Sequence, residues 1–182
     1  PWTLTPVTGG PEPLPAIRTM AALTSWSTRA DGTDEPFCGT MRYETTFDLP
    51  PEVAPESVCT LDLGEVKWTA RVMLNGRALA TLVVPPYAVR VPANALYAKG
   101  NLLAVEVANL GRNRIRDLDR RGIEWRKFYI VDRAYRTFNL KDEPNEPSGL
   151  MGPVTLVERH EAARQNGHDA RQQRQPQAAR PH

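Results

Sequence analysis

The segment Gly39–Leu49 alternates strictly: Met41, Tyr43, Thr45 and Phe47 fall on one face, and Arg42, Glu44 and Thr46 on the other. A period of two is the repeat of a half-buried β-strand; a helix, with its period of 3.6, would scatter these residues around its axis. The pattern recurs. Ser57–Leu63 sets Cys59, Leu61 and Leu63 inward against Thr60 and Asp62. Thr69–Leu74 groups Ala70, Val72 and Leu74, Leu102–Asn109 groups Leu103, Val105 and Val107, and Gly152–Val157 groups Val154 and Leu156. Between Thr69–Leu74 and Arg77–Val84 stands Asn75-Gly76, the pair favoured where both central residues of a type I′ hairpin turn need positive φ. With Trp2–Thr8 and Ala88–Val91, these segments make eight or so short strands divided by turn signals. That pattern predicts an all-β fold, an antiparallel β-sandwich, with Tyr43, Phe47, Leu61, Leu63, Val72, Leu74, Val105, Val107 and Leu156 buried between its sheets.

The connections are less regular. Gly9-Gly10-Pro11, Pro13 and Pro15 break the first strand, Pro50-Pro51 ends the second, and Pro85-Pro86-Tyr87 turns the chain into Ala88–Val91. Ile17–Trp26 reads as a connecting segment with at most one helical turn, and Leu96–Gly100 as a short helical or turn piece. Residues 110–147 read as one long irregular loop, of a length usually reserved for function or for packing on something. Residues 159–182 contain no aromatic, β-branched, Leu or Met residue. Such a segment buries too little surface to offset its ordering entropy, and it reads as a disordered tail. The expected organisation is a β-sandwich over 1–158 and a tail over 159–182.

Charge and inventory exclude several function classes. The net charge of +2 is uneven: the tail carries +3 and the other 158 residues −1. The folded part is near neutral, which does not suit a nucleic-acid partner. All three histidines, His160, His168 and His182, lie in the tail. A histidine metal site or a nucleophile–histidine pair is thereby excluded from the sandwich. Cys38 and Cys59 read as free thiols, since nothing else suggests a disulfide scaffold. No apolar run approaches the roughly 18 residues of a membrane span. The first residue, Pro1, suggests a fragment or a processed product.

Candidate chemistry concentrates between Arg112 and Lys127, where seven cations meet three carboxylates. Glycoside hydrolysis needs two carboxyl groups roughly 5–10 Å apart across a sugar ring, and Asp117, Asp119 and Glu124 are the obvious pair-formers. Their arginine neighbours favour the ionised form, the wrong direction for a general acid, so ion-paired structure is the better reading. No Asp-x-Asp-x-Asp-Gly run is present to supply the oxygens a Ca²⁺ ion needs; no cofactor is expected, with Ca²⁺ as the alternative. Trp68 and Trp125 are the tryptophans placed to stack on a pyranose face, with simple packing as the alternative for each. Trp2 and Trp26 are assigned to the core or its cap. Ser25 and Ser148 lack a histidine partner, and Gly9-Gly10 precedes proline rather than a helix, so neither is a catalytic or phosphate-binding element.

Several of these elements, taken in order, carry a resemblance. They are the strand around Trp2, Ser25-Trp26, the small-residue turn before Tyr43, Leu61-Asp62-Leu63-Gly64, Leu74-Asn75-Gly76 and Gly100-Asn101. The series continues with Asn109 to Asn113-Arg114-Ile115, Asp117-Leu118-Asp119, Tyr135-Arg136 and the close Ser148-Gly149-Leu150-Met151-Gly152-Pro153-Val154. The set resembles the galactose-binding-like jelly-roll domain attached to family 2-like glycoside hydrolases. The likeness is strongest to the C-terminal β-sandwich of the large α-L-rhamnosidases of family 106, and it covers nearly all of 1–157. Cys38 departs from it, standing where that family commonly has serine. The resemblance implies a non-catalytic accessory domain that packs on the catalytic domain of its parent chain and shapes one wall of a carbohydrate cleft. The alternative is an autonomous carbohydrate-binding module. It further implies a periplasmic or secreted parent, rhamnose-containing glycan as a partner, and a contact surface built from Asn109, Asn113, Arg114, Asp117 and Trp125. Charge outnumbers aromatics in that stretch, which favours docking over a lectin platform.

Overall fold

A computed structural model describes residues 1–28, 34–125 and 139–158. The strands are β1 (Trp2–Gly10), β2 (Arg18–Met20), β3 (Cys38–Phe47), β4 (Cys59–Asp62), β5 (Glu65–Lys67), β6 (Thr69–Leu74), β7 (Arg77–Leu82), β8 (Ala88–Val91), β9 (Asn101–Ala108), β10 (Gly149–Gly152) and β11 (Thr155–Glu158). They form an antiparallel sandwich. One layer is a six-stranded sheet in the order β2-β1-β3-β9-β6-β7. The other consists of β11-β4-β8 and β10-β5, joined where Gly64 bridges Gly152.

The alternation seen in the sequence becomes rows that cross the large sheet. Leu4 faces Tyr43, Tyr43 faces Val105, and Val105 faces Val72. A second row runs Met41–Val107–Ala70. Every member of both rows is buried. Leu61, Leu63, Val66, Val91 and Leu150 of the second layer close over them in one core, with Trp26 packed edge-on to Phe37 and tilted against Tyr43. The opposite face of the large sheet carries the polar partners. There Glu106 sits between Arg42, at 2.5 Å, and Arg71, at 3.6 Å, on the two flanking strands. Asn75 and Gly76 adopt φ of 51° and 78°, as a type I′ turn requires. The Asn75 side chain then links Asn101 and the Leu102 amide across the hairpin base.

Some expectations need correction. Phe47, the last residue of β3, and Leu156, on the edge strand β11, are only partly buried. Ile17–Trp26 is not simply a connection: Arg18–Met20 adds an edge strand to β1, and the 3₁₀ turn begins only at Trp26. The last strand is two, β10 and β11, split at Gly152, whose φ of 67° breaks the run. Residues 110–147 are not irregular throughout, since a nine-residue helix, α1 (Arg112–Arg120), stands within them. Tyr135-Arg136 and the expected tail lie outside the described residues.

Two thiols sit apart, Cys38 half-buried at the start of β3 and Cys59 fully buried in β4. Burial pushes the Cys59 thiol up, and Glu158 adds to the effect. Since the thiolate is the reactive form, iodoacetamide at neutral pH is expected to label Cys38 in the native protein and both residues only after denaturation; peptide mass mapping distinguishes the two. A second prediction concerns Gly149, which has φ of 121° and packs against the Tyr43 hydroxyl and the Trp26 ring. A Cβ here would collide with both, so Gly149→Ala is expected to destabilise by about 2 kcal/mol or more in urea unfolding.

Candidate functional site: the helix and strap at one end of the sandwich

β3 begins, β9 ends and β6 begins at the same end of the large sheet, as the pairing of Ala108 with both Thr40 and Thr69 requires. Asn109 is the first residue past that ladder. Its carbonyl oxygen accepts the Gly39 N–H at 2.9 Å, and its amide donates to the Phe37 carbonyl at 2.9 Å and to Ser148 Oγ at 3.2 Å. One side chain thus replaces strand pairing where the strands run out. Two residues later the chain enters α1, which has Gly111 at its N-cap and no side-chain cap bond.

Against α1 lies a strap, residues 139–148, which has little secondary structure of its own. Its backbone groups find partners on side chains. Asn113, 2% exposed, donates to the Glu146 carbonyl at 2.7 Å and accepts the Glu146 N–H at 2.9 Å, acting as a surrogate strand neighbour. Arg112, Arg116 and Arg120, spaced by four residues and so on one helix face, donate to the carbonyls of Pro144 (3.1 Å), Glu143 (2.5 Å) and Lys141 (3.0 Å). Arg116 is buried and is also ion-paired with Glu35. Burial, with Arg120 nearby, draws its pKa down from the ordinary arginine value. On the far side Ser27 Oγ donates to the Glu146 carbonyl at 2.7 Å, and Ser25 Oγ accepts the Ser148 N–H at 2.9 Å. Asp119 closes the strap's start, accepting the Leu140 N–H and the Trp125 indole N–H, each at 2.7 Å.

The expected contact residues therefore separate. Asn109 and Asn113 turn their amides inward and hold backbone. Arg114, Asp117 and Trp125 lie at the surface of the same end, half-buried. Arg114 reaches Asp117 at 2.7 Å, and Arg121 reaches it at 3.4 Å. The carboxylates Asp117 and Asp119 are thus engaged by arginines and by N–H donors. The strap-binding roles of Arg112, Arg116, Arg120, Ser25 and Ser27 were missed in the sequence; the four-residue arginine spacing was the available signal. Among the described residues no three His, Cys, Asp or Glu side chains cluster as a metal site, and no helix is long and apolar enough to cross a membrane.

Comparison with known proteins places this arrangement in a class. No protein-family model matches the chain. A putative beta-glucuronidase of Formosa agariphila is 30% identical over an alignment that covers 74% of this chain and 13% of that protein. The solved rhamnosidase of a Novosphingobium species superposes with a TM-score of 0.68 at 29% identity, covering 87% of this chain and 14% of that one. A beta-glucuronidase of Faecalibacterium prausnitzii shares the fold, with a TM-score of 0.55 at 20% identity over 86% of this chain and 30% of that one. The chain is a glycoside hydrolase-related β-sandwich domain, and it spans only about 13–14% of the length of the first two relatives.

If Asn113 serves as a surrogate strand partner, Asn113→Ala leaves the half-buried Glu146 N–H without its acceptor, while the Glu146 carbonyl keeps its bond from Ser27. The expected cost is about 1–3 kcal/mol in chemical unfolding, with hydrogen exchange accelerated selectively in the 139–148 strap rather than in the sheets.

Proposed function

We propose that this chain is a non-catalytic accessory domain of an α-L-rhamnosidase-like glycoside hydrolase, of the family 106 type, corresponding to its C-terminal jelly roll. In this reading it packs on the catalytic domain of the parent chain and forms one wall of the carbohydrate cleft. The observation that carries it is the rhamnosidase superposition, in which most of this chain matches a small part of a much larger glycosidase. The site's chemistry supports the same reading. Asp117 and Asp119 are engaged by Arg114, Arg121, the Trp125 indole and a backbone amide, and nothing near them resembles a carboxyl pair held open across a sugar ring.

The end of the sandwich bearing Arg114, Asp117 and Trp125 is the face turned toward the catalytic domain in this proposal. Asn109 and Asn113 act one layer down, fixing the strap on which that face rests. Paired arginines at a surface add little to stability, yet their planar forks suit contact with carboxylates across an interface.

Two measurements test this. The purified chain is expected to release no p-nitrophenol from aryl α-L-rhamnoside or aryl β-glucuronide above the buffer rate; hydrolysis abolished by Asp117→Asn or Asp119→Asn would overturn the non-catalytic reading. In the full-length parent, Arg114→Ala and Trp125→Ala are expected to lower substrate affinity or loosen domain association. Unchanged turnover, affinity and association in both variants would remove the contact role.

A further inference from the structure

Beside this end of the sandwich lies an open groove of about 510 Å³. Trp68 is positioned there by its N–H, which donates to the Ala108 carbonyl at 3.0 Å, one residue before Asn109. The buried Tyr87 hydroxyl donates to the Trp68 carbonyl at 2.6 Å and fixes the segment from below. Val83, Val84 and Pro85 form an apolar wall, with the two valines 61% and 66% exposed. Two prolines and the Tyr87 bond hold that wall with little conformational freedom. Three charged residues, Asp62, Glu65 and Lys67, share the lining. Asp62 holds the Gly64 N–H with one oxygen, Glu65 lies 3.4 Å from Lys67, and the Lys67 ammonium stands 4.7 Å from the centroid of the indole.

We infer that this groove is a saccharide subsite that takes a neutral pyranose and disfavours a uronate, a deepening that rests on the proposed glycosidase context. A pyranose has a face of C–H bonds and an edge of hydroxyls. The valine wall and the half-buried indole, one face of which lies under the Lys67 ammonium, match the first; the carboxylates and that ammonium match the second. Charge sets the selectivity. The rim carries two carboxylates and a single ammonium already shared with Glu65 and the indole, so a sugar carboxylate would enter a field of its own sign. The wall is too short and the rim too polar for a long apolar peptide segment, which makes a polypeptide occupant the alternative outcome rather than the proposal.

The test uses the whole 182-residue chain with methyl α-L-rhamnopyranoside, methyl β-D-glucopyranoside and methyl β-D-glucuronide as probes, read through the Trp68 indole N–H resonance. At least one neutral glycoside is expected to shift that resonance with millimolar affinity. The glucuronide is expected to bind about fivefold more weakly than the better neutral probe at low ionic strength, and the gap is expected to narrow with added salt. Followed by ligand-observed saturation-transfer NMR, since neither variant carries the indole probe, Trp68→Ala is expected to abolish binding and Trp68→Phe to retain part of it. Glu65→Gln with Asp62→Asn is expected to raise glucuronide binding relative to the neutral sugar, so that the gap between the two closes. No shift with either neutral probe, equal or tighter glucuronide binding, or shifts confined to residues 112–125 would each overturn the subsite. Self-association that is lost on Val84→Asp, with no glycoside response, would show a polypeptide occupant and overturn it too. These failures leave the accessory-domain proposal standing, whereas glycoside hydrolysis by the isolated chain would remove that proposal without bearing on the subsite.

Discussion

Residues 139–148 form a strap that runs across a packed surface without a strand to pair with, and the architecture of this end of the sandwich follows from that. A buried backbone N–H or C=O left without a partner costs about as much as a lost hydrogen bond, so such a strap persists only where other groups meet it. Here the donors and acceptors come from side chains: Asn113 on both sides of Glu146, the stripe of Arg112, Arg116 and Arg120 on successive carbonyls, and Ser25 and Ser27 from the opposite flank. The helix exists to present that stripe. Its own sequence, RNRIRDLDR, offers only Ile115 and Leu118 as apolar residues, too few to dock it by burial alone.

The same constraint accounts for an arginine density that looked excessive. Exposed ion pairs contribute little, and on that ground alone the arginines would all be candidates for partner contact. The structure divides them by helix face. One face holds the strap, with Arg116 desolvated and tied to Glu35 and to a backbone carbonyl. The other face, Arg114 and Arg121 around Asp117, is the part left at the surface. Arg114 stands two residues from Arg112 and from Arg116, about 200° around the helix, so the two sets fall on opposite faces, and a count of charges cannot tell them apart.

The sandwich itself was legible because its signal is local. Period two in Gly39–Leu49, Thr69–Leu74 and Leu102–Asn109 tells which side chains point inward, and Asn75-Gly76 pairs β6 with β7, whereas the rows through Tyr43, Val105 and Val72 depend on pairings between strands distant in sequence. What escaped were elements held by distant partners. Three-residue strands such as Arg18–Met20 and Glu65–Lys67 are too short to show a period and exist because β1 and β10 pair with them. Helix α1 was hidden because charged residues occupy the positions where an apolar stripe would announce it. Asn109 and Asn113 were singled out as contact residues, but the sequence does not reveal that their amides face backbone rather than solvent.

Two kinds of surface thus meet at one end of a small fold, and they differ in how replaceable their chemistry is. The helix-and-strap surface is built from hydrogen bonds between side chains and backbone, several of them converging on Glu146, so its geometry is fixed by many members together. The groove beside Trp68 is built from van der Waals area over a rigid proline-bounded loop, where substitutions change shape and affinity without unpairing the backbone. In the proposed reading the first surface has a geometry fixed well enough to be docked, and the second is freer to vary. The one-residue step from Ala108, which receives the Trp68 N–H, to Asn109, which binds Gly39, Phe37 and Ser148, is what keeps the two faces in fixed relation.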